Sequence, residues 1–185
     1  MKIEAQRFLE LVELANTAAF VDIEATGLRG DYNSVLCVSI RPFRGKPEVF
    51  AVERAGEDRA VVKAVKKAME KYDLWVTYYG KGFDLPMLNT RLLQHCSMPI
   101  EPRHHLDMYY MLKSRLLTAR RSQGHILSWL KTPEQKMGVS AEVWNMVLAN
   151  PKREMPKMIA RCNSDTEGLM ALFRRTSHLV RDLTR

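Results

Sequence analysis

A mixed α/β sheet with helices packed against it is the fold class this sequence predicts. Three observations predict it. Short runs rich in valine, isoleucine and aromatic residues, bounded by turn residues, cluster in the first half. Apolar residues at three-to-four spacing dominate the second half. No repeat, low-complexity tract or linker divides the 185 residues, a length that fits one domain with a sizeable core.

The elements follow in chain order. Phe8, Leu9, Leu11, Val12 and Leu14 give the first residues, about 1–16, the rhythm of a helix packed on the domain. AAFVDIEATG is a strand that stops at Gly27. SVLCVSIRPF and EVFAVER are two strands joined by a turn around Gly45 and Pro47. DRAVVKAVKKAMEKY is an amphipathic helix, with Val61, Val65, Ala68 and Tyr72 on one face and its lysines largely away from it. LWVTYY is a fourth strand ended by GKG, and FDLPMLNTRLLQHC is a helix with Leu88, Leu92 and Cys96 on one side. HHLDMYYML fits a strand or a helix, and SQGHILSWL reads as helical. TPEQKMGVSAEVWNMVLANP is irregular and then helical, and a last helix runs from about Pro156 to Leu183.

The composition excludes several classes. Apolar residues make up 46% and charged residues 27%, as in a soluble globular chain. No apolar run approaches the roughly 18–20 residues a membrane span needs. The start of the chain lacks the basic, apolar and small-residue regions of a signal peptide. Cys37, Cys96 and Cys162 are scattered without a CxxC pair, which argues against a disulfide framework or zinc site and for a reducing cytoplasm. The net charge of +8, from 29 basic and 21 acidic residues, favours a polyanionic partner such as nucleic acid.

Asp22 and Glu24 do not suit a buried strand. Residues two apart point to one face, here about 7 Å from each other, with Phe20 and Thr26. Two unpaired carboxylates buried there would raise each other's pKa unless a cation lay between them. Magnesium, a hard cation that takes carboxylate and water oxygens, suits the pair; a solvent-facing edge strand suits it also. Asp84 follows a strand and a glycine-rich turn at a helix start, where it is a metal ligand or a helix-capping acid. Asp165 falls inside the apolar stripe of Met158, Cys162, Leu169 and Leu172, so it needs a partner: a metal, or Arg161 one turn earlier.

Read together, these segments resemble the DEDD exonucleases of the ribonuclease H superfamily. They are most similar to the YprB-like exonucleases, relatives of the proofreading domain of family B DNA polymerases. FVDIEATGL resembles the first motif, with its DxE; TYYGKGFDLPMLNTR resembles the second, YNGxxFDxPxL; RCNSDTEGL resembles the third, YxxxD. HLDMYYMLKSR resembles the intermediate aspartate-led segment, and LSWLKTPEQKMGVSAEVW resembles the stretch before the third motif. The resemblance extends from about Ala18 to Phe173. It implies a ribonuclease H-like fold: a central mixed five-stranded sheet flanked by helices, with residues 1–185 forming a single domain. Carried over, it makes Asp22, Glu24, Asp84 and Asp165 both the catalytic acids and the ligands of two divalent cations, Mg2+ or Mn2+. In such a site one ion activates the attacking water and the other stabilises the leaving oxygen. The implied reaction is 3′-to-5′ hydrolysis of DNA or RNA, releasing 5′-mononucleotides from single strands or 3′ ends.

The chain departs from that pattern twice. Arg161 stands where YxxxD has its tyrosine, and Ala160 where the HxxxxD subtype has its histidine. Arginine stays protonated and is no general base, but it can hold a phosphate. Tyr79 replaces the asparagine of the second motif and is expected to pack or to stack on a base. Arg161, Tyr79, Lys81 and Phe83 are therefore the candidate substrate-binding residues. Arg91 and a cluster of Lys113, Arg115, Arg120 and Arg121 are further candidates for phosphate contact. Asp107 is a candidate fifth acid of the site but is read first as structural, and Trp129 and Trp144 as core. Two rivals to the exonuclease share the sequence pattern. One is an impaired module that binds nucleic acid without cutting; the other is a structure-specific endonuclease of the same fold. The sequence names no protein partner.

Overall fold

The structure, a computed structural model, describes residues 17–180 except Val139. The predicted N-terminal helix lies outside the described residues, as do the side chain of Ala141 and Arg181 onward. Five strands form one sheet: β1 (Ala18–Ala25), β2 (Val35–Pro42), β3 (Glu48–Ala51), β4 (Leu74–Thr77) and β5 (His104–Asp107). Their order is β3-β2-β1-β4-β5. The β3-β2-β1 meander is antiparallel, whereas β4 and β5 run parallel to β1. The sheet is therefore mixed and five-stranded with flanking helices, as the resemblance implies.

The parallel half needs crossovers. Helix α1 (Arg59–Met69) leads into β4, and α2 (Asp84–Gln94) leads into β5. The ambiguous HHLDMYYML is both elements in succession, because Asp107 ends β5 and caps α3 (Met108–Arg115) by accepting from the Tyr109 N–H at 3.0 Å. Helices α4 (Gln123–Trp129), α5 (Ala141–Ala149) and α6 (Pro151–Thr176) follow, then a 3-10 turn at Ser177–Leu179.

Both faces of β1 are covered. Val21 and Ile23 pack with Val62 and Val65 of α1 and with Leu88 and Leu92 of α2. Phe20 faces the other way, among Leu127 of α4 and Leu169 and Leu172 of α6. Asp22 and Glu24 share that second face, so the solvent-facing edge-strand reading does not hold.

Three boundaries differ from the sequence expectation. The buried stripe of α1 is Val62, Val65, Ala68 and Met69, with Val61 and Tyr72 half-buried beside it. Cys96, beyond α2, is exposed in a left-handed turn at φ 53°. The last helix begins at Pro151, not Pro156, and ends at Thr176. Two prolines compete for the first-turn position where a missing N–H costs nothing, and Pro151 takes it. The buried Met155, Met158 and Cys162 carry the helix through Pro156.

Candidate active site

Three elements deliver the acids. Asp22 and Glu24 project from β1 toward α6, opposite Ser39 and Cys37 of β2. The ladder slips between Glu24 and Ala25, leaving Leu36 as an extra residue in β2 beside the acids. The register of α6 is fixed by polar contacts as well as packing. The Cys162 thiol donates to the Asp22 carbonyl at 3.2 Å, and Ser39 Oγ donates to Asn163 Oδ1 at 2.7 Å. Gln123 donates to the Asp165 carbonyl at 2.7 Å. Gly168 permits the close approach of α4, since a Cβ there would lie 2.8 Å from Leu127 Cδ1.

Asp84 arrives from the β4–α2 turn. Asp107 holds that turn by accepting from the Tyr79 N–H on one oxygen and the Lys81 N–H on the other, each at 2.9 Å. Its structural role is thus as expected. Tyr79 lies at φ 67°, a left-handed conformation in which asparagine, the residue of the resembled motif, is favoured. Gly82 leaves room for the Tyr79 ring, which a Cβ would meet at 2.5 Å.

Asp22, Glu24 and Asp165 each offer a carboxylate oxygen within 4.8 Å of the others. Asp84 stands outside that triplet but within its field. Burial pushes Asp22 well above the usual carboxylate range, and the charges of Asp84, Asp165 and Glu24 add to it. Burial, helped by the charges of Asp107 and Glu24 and opposed by the N–H groups of Asp84 and Ile23, lifts Asp84 to about 7. Glu24 is raised by burial, partly offset by Arg161. As a residue Asp22 is only half-buried, yet its Oδ2 is sealed. Asp22 Oδ2 and Asp165 Oδ1 are both buried with no hydrogen-bond partner among the described residues. Hard oxygen donors, mutual repulsion and sealed lone pairs make a set that fits divalent cations.

Two cations of the chain itself reach the acids. Arg161 Nε donates to Glu24 Oε1 at 2.5 Å, and its guanidinium lies 6.0 Å from the centre of the Trp144 ring. The predicted alternative partner for Arg161, Asp165, is instead held by Lys136 Nζ at 2.9 Å from Oδ2. Asp22, Glu24, Asp165, Arg161, Phe83, Leu28, Lys136 and Trp144 line a cleft of about 360 Å³, and Asp84 lies outside its lining. Lys136 was not singled out from the sequence: it is one lysine in an irregular stretch, and no periodicity marks it. Trp144 is partly buried against the core cluster of Leu36, Val147 and Met158 and also walls the cleft, whereas Trp129 is 53% exposed. Arg91 does not face substrate. It is buried, with its Nε and Nη2 donating to Asp58 at 2.8 Å each.

Comparison with known proteins agrees with this architecture. The RNase_H_2 model of the RNase H superfamily matches residues 19–145. The chain belongs to the RNase H superfamily. Among solved structures it is similar to the family B DNA polymerase from the hyperthermophilic archaeon Pyrobaculum calidifontis, with a TM-score of 0.67 and 18% identity. The match covers 86% of this chain and 24% of the polymerase chain, so the likeness is to a part of that protein and is one of fold. No curated protein matches the sequence. Among the described residues no helix is long and apolar enough to cross a membrane.

Proposed function

We propose that this superfamily member is a divalent-metal-dependent 3′-to-5′ exonuclease acting on the ends of DNA or RNA, in a reducing cytoplasm. The observation that carries the reading is the pair of sealed, unpartnered oxygens, Asp22 Oδ2 and Asp165 Oδ1, inside a triplet of carboxylates. Acids kept only for stability would be hydrogen-bonded.

Asp22, Glu24, Asp84 and Asp165 would hold two Mg2+ or Mn2+ ions. When bound, the ions supply charge stabilisation for phosphodiester hydrolysis and the activation of water. The side chains do the rest. Lys136 fixes the orientation of Asp165 through Oδ2, and Arg161 fixes Glu24. Both cations can also meet the phosphate charge that enters the cleft. Phe83 and Leu28 supply apolar wall against which a terminal base can lie. Arg161 cannot take a proton from water, so the residue at the tyrosine position orients groups without acting as a base.

One observation favours a second reading, a module that binds without cutting. Arg161 and Lys136 already satisfy one oxygen each of Glu24 and Asp165. Incubating the protein with 3′-labelled, 5′-labelled and circular single strands in Mg2+ or Mn2+ separates the readings. Stepwise loss from the 3′ end with circles intact supports the exonuclease. Cut circles support an endonuclease. Retained binding with no cleavage in either metal supports the binding module.

A further inference from the structure

Beyond the acid cleft, the chain builds an aromatic surface that the chemistry of hydrolysis does not require. Tyr79 is 45% exposed and Tyr110 is 40% exposed. Their rings lie nearly parallel, 27° apart in plane with centroids 5.9 Å apart. Tyr109 stands edge-on behind both, at 5.1 Å from each ring. Tyr78 meets Tyr109 edge-on and donates its hydroxyl to the Arg121 carbonyl, which ties the basic loop after α3 to the cluster.

This surface is held rigidly. Asp107 fixes both ends of it, through the Tyr79 N–H and the Tyr109 N–H. Tyr79 keeps a left-handed backbone that disfavours a bulky side chain, and uses it to hold a large ring in solvent. Strain and exposure together are a poor way to pack a core and a good way to present a ring face. Apart from the buried Asp107, the charge that follows it in the chain is basic. From Met108 to Pro133 the chain carries Lys113, Arg115, Arg120, Arg121 and Lys131 and no acidic residue. Lys81, Lys113, Arg120 and Arg121 are exposed. The surface also adjoins the cleft: the Tyr79 ring lies against Gly82, and the next residue, Phe83, lines the acid site.

We propose that Tyr79 and Tyr110 form a stacking platform for unpaired bases, with Lys81, Lys113, Arg120 and Arg121 holding the phosphates of the same strand. The ligand class is single-stranded nucleic acid, since a duplex buries the base faces that a ring would stack on. The platform rests on the exonuclease reading and extends it. It takes the strand that follows the terminal nucleotide, so that the end enters the acid cleft already held.

Fluorescence anisotropy of labelled oligodeoxynucleotides and oligoribonucleotides, with EDTA present, tests binding apart from cleavage. Tyr79→Asn suits the left-handed backbone while removing the ring, and Tyr110→Ala removes the other. Each should weaken single-strand binding roughly ten-fold, and Tyr110→Phe should retain it. Abasic sites in the oligonucleotide should weaken wild-type binding and leave the double variant nearly unaffected. Binding of blunt duplex should change little in any variant. The DNA and RNA arms tell which sugar the platform accepts. Binding within two-fold of wild type for both Tyr79→Asn and Tyr110→Ala, in proteins with wild-type unfolding temperature, overturns the platform. So does an abasic strand that binds wild type as tightly as a normal one. A parallel Mn2+ cleavage assay on wild type keeps the two claims apart: no cleavage with ring-dependent binding sinks the exonuclease and leaves the platform standing.

Discussion

Two of the molecule's buried carboxylate sites are treated in opposite ways. Asp58, fully sealed at the start of α1, is saturated with partners. Its Oδ2 accepts from the Val35 N–H and Arg91 Nε at 2.8 Å each; its Oδ1 accepts from Arg91 Nη2 at 2.8 Å and lies 2.7 Å from His95 Nε2. Burial alone would raise its pKa, but the hydrogen bonds from Arg91, His95 and Val35 outweigh burial and hold it below the usual range. Asp22, on the opposite side of the sheet, is raised by burial and by three neighbouring acids, and one of its oxygens has no partner. One arrangement is complete without a ligand, and the other is not. The difference separates an acid that secures the fold from acids that the proposed function assigns to cations.

Breaking the incomplete site should have the largest effect, and on activity alone. Asp22→Asn or Asp165→Asn should lower nuclease turnover by at least about 100-fold, since even the supporting groups of a metal ligand are worth 10–100-fold. Asp22→Asn should unfold at the same or a higher denaturant concentration, because repulsion is removed without the loss of an ion pair. Turnover close to wild type in both would show that the acids are not the site.

Breaking the complete site should do the reverse. Asp58→Ala leaves Arg91 buried without its counter-charge and frees the Val35 N–H, and should cost about 3–5 kcal/mol of stability in urea unfolding. Divalent-ion affinity per folded molecule should be retained. A loss under about 1 kcal/mol would mean that the pair contributes little.

The two sites should also separate by pH. Asp58 has a lowered pKa, so its stabilising contribution is present above the unfolded carboxylate value and disappears as pH falls through the folded one. Asp22 and Asp84 are raised, Asp84 to about 7. In the metal-free fold Asp84 therefore holds its proton more tightly than in the unfolded chain, and its contribution weakens as pH rises from about 4 to about 7; Asp22 changes in the same direction. Ions compete with those protons, so the rise in unfolding temperature on adding Mn2+ should be larger at pH 8 than at pH 6. An equal rise at both, or one that survives in Asp22→Asn, would contradict this.

The smallest effect sharpens the comparison at Arg161, which, like Lys136 at Asp165, gives the incomplete site a partner of the kind used at Asp58. Arg161→Ala should raise Mn2+ affinity several-fold, since the guanidinium competes for Glu24, and should shift the fluorescence of Trp144, on which it rests. Nucleic-acid affinity should fall modestly. Arg161→Tyr should raise turnover by restoring the group that the third motif carries. Calorimetry showing weaker metal binding in Arg161→Ala would mean that the arginine supports the ions instead of opposing them.

Much of this was determined by local sequence. Strand alternation and helix periodicity placed the sheet strands and most helix faces, because burial patterns repeat every two residues or about every 3.6. Asp22, Glu24 and Asp165 stood out as charges at positions whose neighbours were core. That Asp107 is structural was also legible, since an acid between a strand and a helix has backbone N–H groups to accept from. Tertiary structure alone decided the rest. Arg161 pairs with Glu24 and not with Asp165 one turn away, because α6 packs against β1, where Cys162 meets Asp22, and Lys136 takes Asp165. Lys136 reaches Asp165 from a loop, where no period marks a residue. Arg91 looks from the sequence like a surface cation, and only the fold shows Asp58 waiting beneath it. Spacing along the chain predicts which face a residue takes, whereas the partner it finds there depends on how separate elements cross.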